Sequence, residues 1–192
     1  MPQPINPNSW QFPPKGTLAR PGISSAITAV LAEWTWVESG LVALVGNVCG
    51  ASRDPASGSV EFYTNMIAYN MMATAETIRG RIKLLDASVG KLLEASSLEE
   101  RWKIFISNLT KRSRERNRIA HAQWMQSDQY PDDLIEYDPR KREMFRWTER
   151  DILDCVERIV AIRNEAHLMQ MDIVSAFHRG ELDESAFGPK RI

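Results

Sequence analysis

Cysteine, histidine and an excess of either charge are what this 192-residue chain has least of, and each scarcity excludes a class of protein. There are two cysteines, Cys49 and Cys155, three histidines and no CxxC, so the usual zinc spacings are absent. The two thiols lie far apart in apolar helical surroundings. They read as buried, reduced groups of a cytoplasmic protein, a disulfide between them being the other reading. A net charge of −1 rules out a polycation that binds nucleic acid along its whole surface. Any such binding must come from a local patch. No Gly-rich phosphate loop, Gly-x-Ser-x-Gly or HExxH occurs, and no metal or cofactor is expected. Apolar runs are broken by charged or small polar residues before the ~18 that a membrane span needs. The opening MPQPINPNSWQFPPKG has five prolines and no apolar signal core, so residues 1–21 read as an extended or disordered arm and the location as cytoplasmic.

What remains has the composition of an ordinary globular domain, with 43% hydrophobic and 26% charged residues and no internal linker. The domain is expected over residues 22–182, with a tail at 183–192. Ile23, Ile27, Val30, Trp34, Val37, Leu41, Leu44 and Val48 alternate at spacings of four and three, the seam of a first long helix that Gly50 stops. After a polar loop at 51–58, a second helix is expected from about Ser59. Its stripe is Tyr63, Ile67, Met71, Thr74, Ile78, Ile82, Leu85, Val89 and Leu92, with a kink or break at Gly80 or Gly90.

A capping box, Ser97-x-x-Glu100, opens the third helix, whose stripe is Leu98, Trp102, Phe105 and Leu109. The fourth opens at Thr148-x-x-Asp151 and carries Ile152, Cys155, Ile159, Ile162, Ala166, Met169, Ile173 and Phe177. Residues 122–148 between them have turn signals around short apolar runs and read as a β-hairpin or ordered loop. The expected fold is therefore all-α, an antiparallel four-helix bundle with that short insert.

The third helix ends unusually. Its apolar seam gives way to Ser113, then Arg116 and Asn117, inside Lys111-Arg112-Ser113-Arg114-Glu115-Arg116-Asn117-Arg118, five basic residues against one acid. A solvated basic face near a helix C-terminus explains Lys111, Arg114 and Arg118. It does not explain an arginine continuing a buried stripe, where an unpaired charge costs several kcal/mol. Asn117 and His121 are four apart and share a face, and Arg116 lies ~140° round from His121. A permanent bidentate donor, a proton carrier and an orienting amide are the parts for holding a phosphate and moving a proton beside it.

Arg116-Asn117-Arg118-Ile119-Ala120-His121-Ala122-Gln123-Trp124 resembles the Arg-x4-6-His motif of the HEPN (higher eukaryotes and prokaryotes nucleotide-binding) superfamily, with its polar residue after the arginine. The resemblance spans 22–180 as architecture and 116–124 as sequence. It implies a helical bundle, commonly a homodimer, and for many members metal-independent endoribonuclease activity of the toxin or defence type. Arg116, Asn117 and His121 would then be catalytic, paired across a dimer interface. Lys111, Arg112, Arg114 and Arg118 would contact RNA, and a neutralising protein would be a partner. Trp124 and Tyr130 could stack bases or simply pack, and Glu33 or Glu38 could hold Arg116 or face solvent. The competing reading is a noncatalytic interaction protein in which the Arg-Asn-His cluster is structural. His167 and His178 carry no role.

Overall fold

A computed structural model describes residues 2–5, 17, 19–54, 56, 57 and 59–182. The expected disorder of residues 6–16 and the tail at 183–192 fall outside these. The heptad after Ile23 becomes α1 (Pro21–Val48), in which Ile23, Val30, Trp34, Val37, Leu41, Leu44 and Val48 are all buried. Among the described residues α1 is the one helix long and apolar enough to cross a membrane, a test that core helices also pass. Its buried stripe is that of a core helix. The third and fourth expected helices are α5 (Glu99–His121) and α6 (Glu149–His178).

Thr148 and Asp151 cap α6 reciprocally: Asp151 N–H donates to Thr148 Oγ1 and Thr148 N–H to Asp151 Oδ2, both at 3.1 Å. The cap of α5 sits one residue earlier than its sequence signature. Ser96 Oγ accepts from Leu98 N–H at 3.2 Å, and Glu99 Oε2 accepts from Ala95 N–H at 2.7 Å. At the far end of α6, Gly180 takes the left-handed conformation, φ 73°.

The all-α expectation is wrong: the fold is mixed α/β. A four-stranded antiparallel sheet is built from β1 (Gln3–Ile5), β4 (Gln123–Ser127), β5 (Tyr130–Asp138) and β6 (Glu143–Trp147), in the order β1-β6-β5-β4. The segment expected as a hairpin or loop is thus a three-stranded meander, and the proline-rich N-terminus supplies a fourth strand. Pro4, opposite Phe145, is tolerated because among the described residues β1 is an edge with no further strand to receive an N–H. In β5 the four residues Asp133, Leu134, Ile135 and Glu136 are buried in succession, as in a strand covered on both faces.

The second helix also differs from expectation. After the hairpin of β2 (Ala51–Arg53) and β3 (Val60–Phe62), the chain breaks into α2 (Met66–Thr74), α3 (Ile78–Leu85), a π-helical turn (Asp86–Gly90) and α4 (Lys91–Leu93). Asn65 caps α2 through its side chain, and Thr77 caps α3. Two local caps outweigh one continuous apolar period.

The chain divides into two compact units. The first, Met1–Thr35 with Arg112–Val160, contains the sheet, and its core includes Trp34, Ile119, Met125, Leu134, Ile135, Trp147, Ile152 and Cys155. The second, Trp36–Lys111 with Ala161–Ile192, contains the β2–β3 hairpin and α2 to α4. Its core includes Leu41, Leu44, Leu85, Phe105, Leu109, Met169 and Phe177.

Candidate functional site

The basic end of α5 lies in the first unit, apart from Lys111. Helical spacing decides what each cation there meets. Arg112 is buried, and its Nη1 donates to Glu115 Oε2 at 2.6 Å. Arg158 of α6 donates from Nε to the same oxygen at 3.2 Å, and from Nη2 to Cys155 Sγ at 2.9 Å. Burial pushes the Cys155 thiol above its ordinary value, against the pull of Arg158, so it stays protonated near neutrality. One carboxylate therefore serves two arginines beside a neutral thiol.

Arg118 is also engaged. Its Nε donates to both oxygens of the buried Glu136, at 2.8 and 2.7 Å, and Trp147 Nε1–H donates to Glu136 Oε2 at 2.7 Å. The guanidinium carbon lies 4.3 Å from the centre of the Phe145 ring and 5.3 Å from that of Trp147. Of the four residues expected to contact RNA, Arg112 and Arg118 thus have internal partners. Lys111 and Arg114 are exposed and form no ion pair among the described residues.

Arg116 differs from its neighbours. It continues the Trp102, Leu109 seven-residue repeat onto the buried side of α5 and is itself half-buried. Its Nη1 donates to Asn117 Oδ1 at 3.1 Å, and its buried Nε has no hydrogen-bond partner among the described residues. No carboxylate pairs with it among the described residues: Glu38 pairs instead with Arg81, at 2.7 Å, within the second unit. Glu33 is half-buried on α1. His121, the last residue of α5, is exposed and makes no hydrogen bond among the described residues. It lies five residues, about 7.5 Å of helix rise, beyond Arg116.

The aromatic candidates pack. Trp124 meets Trp147 edge to face at 5.9 Å, and Tyr130 lies under the Arg146 guanidinium at 4.7 Å. His167 is exposed beside Trp36 and Gly40 in a shallow groove, and His178 lies 5.8 Å from the Phe62 ring. Among the described residues no three His, Cys, Asp or Glu side chains converge to hold a metal ion.

Sequence reasoning missed Glu136 and Glu115, the anions that organise this end of α5. Each left a signal: Glu115 is the lone acid in a basic run, and Glu136 interrupts an apolar strand. No family model matches the chain, and neither a curated protein nor a solved structure shows significant similarity to it.

Proposed function

We propose that the end of α5 binds a phosphodiester and cleaves RNA, with Arg116 as the anion anchor, His121 as the proton carrier and Asn117 orienting the guanidinium. One observation carries the reading: Arg116 is half-buried with an unbonded Nε and no carboxylate partner among the described residues, while Arg112 and Arg118 beside it are neutralised. Keeping an unpaired cation against a core destabilises the fold, and local conflicts of that kind mark sites for an external partner. The resemblance of Arg116 to His121 to the HEPN motif supports the chemistry. It would set two such sites face to face, and that part rests on the motif alone.

In the proposed reaction the RNA 2′-oxygen bonds to phosphorus as the bond to the 5′-oxygen breaks. The 2′-hydroxyl proton passes to a base and the leaving 5′-oxygen gains a proton. His121 performs one of these transfers. Arg116 stabilises charge growing on the phosphoryl oxygens. Lys111 and Arg114 draw in the RNA backbone in a salt-dependent way.

Labelled RNA incubated with the protein and EDTA should yield 2′,3′-cyclic phosphate ends, and a 2′-deoxy substrate should resist. Arg116→Ala is expected to lower the rate about 10²–10³-fold and His121→Ala about 10²–10⁴-fold. Equal rates for wild type and both variants would sink the proposal.

A second reading, a noncatalytic interaction protein, is favoured by the internal engagement of Arg112 and Arg118. It expects Arg116→Ala to change stability while RNA binding stays at wild-type strength.

A further inference from the structure

Helix α1 contains three glycines, Gly22, Gly40 and Gly46, and packing explains two of them. A Cβ on Gly22 would collide with the Glu149 carboxylate, and one on Gly46 would press on Thr64 and Tyr69 at 3.3 Å. Gly40 is different. A Cβ there would meet no atom within 4 Å, and the helical backbone at this position suits any residue. Glycine inside a helix weakens it relative to alanine, so one that no neighbour requires breaks a local preference without return to the fold.

One turn earlier on the same face, Trp36 is 65% exposed. An exposed hydrophobe alone is ordinary. This one borders a groove of about 110 Å³ that includes the space left by Gly40. Val37 and Ala166, both buried, line it from below. Arg163, His167 and Gln170, on one face of α6, line its other side. All of these residues belong to the second unit.

We propose that this groove binds a small aromatic carboxylate, its ring stacked on Trp36 in the space above Gly40 and its carboxylate held by the α6 donors. The volume sets the size. An enclosed apolar cavity of about 150 Å³ takes benzene, so a groove of about 110 Å³ open to solvent takes a single ring. The indole sets the shape, since its face stacks a flat ring better than a saturated one. The α6 side sets the charge. Arg163 is a permanent cation whose planar fork matches a carboxylate, Gln170 offers an amide N–H and His167 a ring N–H. Among the described residues no carboxylate lines the groove to oppose an anion. The site stands whether or not Arg116 and His121 turn over RNA.

Benzoate titrated into the full chain to about 10 mM at constant ionic strength, followed by the His167 imidazole proton resonances, reads the site. Wild type should saturate with a Kd below about 1 mM. Cyclohexanecarboxylate, equally charged but not flat, and benzylamine, flat but cationic, should each bind at least tenfold more weakly. Gly40→Leu should remove the saturable shift yet melt at or above the wild-type temperature, because its Cβ enters open space. Trp36→Ala, at an exposed position, should weaken binding at least fivefold with an unchanged melting curve. A wild type without saturable shifts overturns the proposal, as does Gly40→Leu or Trp36→Ala binding at wild-type strength. Benzylamine binding as tightly as benzoate does the same. So does loss of the fold in Gly40→Leu, since the protein itself would then need the space above Gly40.

Discussion

Arg118→Ala tests whether the basic end of α5 is a solvated face or part of the fold. Glu136 accepts three hydrogen bonds, two from Arg118 and one from Trp147, and its side chain is 8% exposed against 37% for Arg118. Removing the arginine strands a buried carboxylate with Trp147 as its one remaining donor among the described residues. An uncompensated buried charge costs about 3–5 kcal/mol, and the surviving donor holds the loss to about 3 kcal/mol. Glu136→Gln acts on the other side. It leaves Arg118 more than a third exposed and still stacked on Phe145, so the expected loss is about 1–2 kcal/mol.

The two losses should not add. With Glu136→Gln in place no carboxylate is left to strand, and the double variant should be about 1 kcal/mol or more stabler than additivity requires. Urea unfolding of the full chain, followed by its tryptophan fluorescence and circular dichroism together, measures all four corners. A loss under about 0.5 kcal/mol for Arg118→Ala, or additivity within that margin, would refute the reasoning. Arg118 would then behave as an ordinary surface cation.

Two other perturbations test features of the fold. A Cβ on Gly50 would lie 1.5 Å from the Tyr63 carbonyl oxygen, so Gly50→Ala must displace backbone where α1 meets the β2–β3 hairpin. The expected loss is about 3 kcal/mol, and a wild-type melting temperature would show that the turn yields freely. Burial raises the Cys155 thiol, so the folded state holds that proton more tightly than the unfolded chain. This contribution is complete below the ordinary thiol value of 9.0 and is lost as pH rises above it, because the unfolded thiol ionises first. Cys155 should therefore resist iodoacetamide near pH 8 until urea is added. Folded protein alkylated there at the rate of a free thiol would contradict its burial.

The three long helices were legible because their information is local. The Ile23 to Val48 heptad, the Thr148 and Asp151 cap and the stripe of α6 each specify structure within a few residues. Arg116 was legible for the same reason, since continuing the Trp102 and Leu109 spacing turns it inward. The run from Tyr63 to Leu92 misled, because its apolar period persists through two caps that break the helix. On one side of the break that period is buried, at Ile82, Leu85 and Val89, and on the other it is exposed at Ile67 and Met71.

Long-range pairing had no local trace. β1 joins β6 across some 140 residues, and a three-residue edge strand containing proline has too little pattern to announce its partner. The partner of Arg118 was equally hidden, because a basic run looks alike whether its anions are water-bound or carried on another element, whereas that of Arg112, Glu115, lies three residues on in the same helix. Residue spacing by itself determined which way the α5 cations point. The helix itself pairs Arg112 with Glu115, but only the tertiary structure decided that Arg118 is neutralised, by bringing Glu136 of β5 to that helix, and so left Arg116 half-buried without a carboxylate among the described residues.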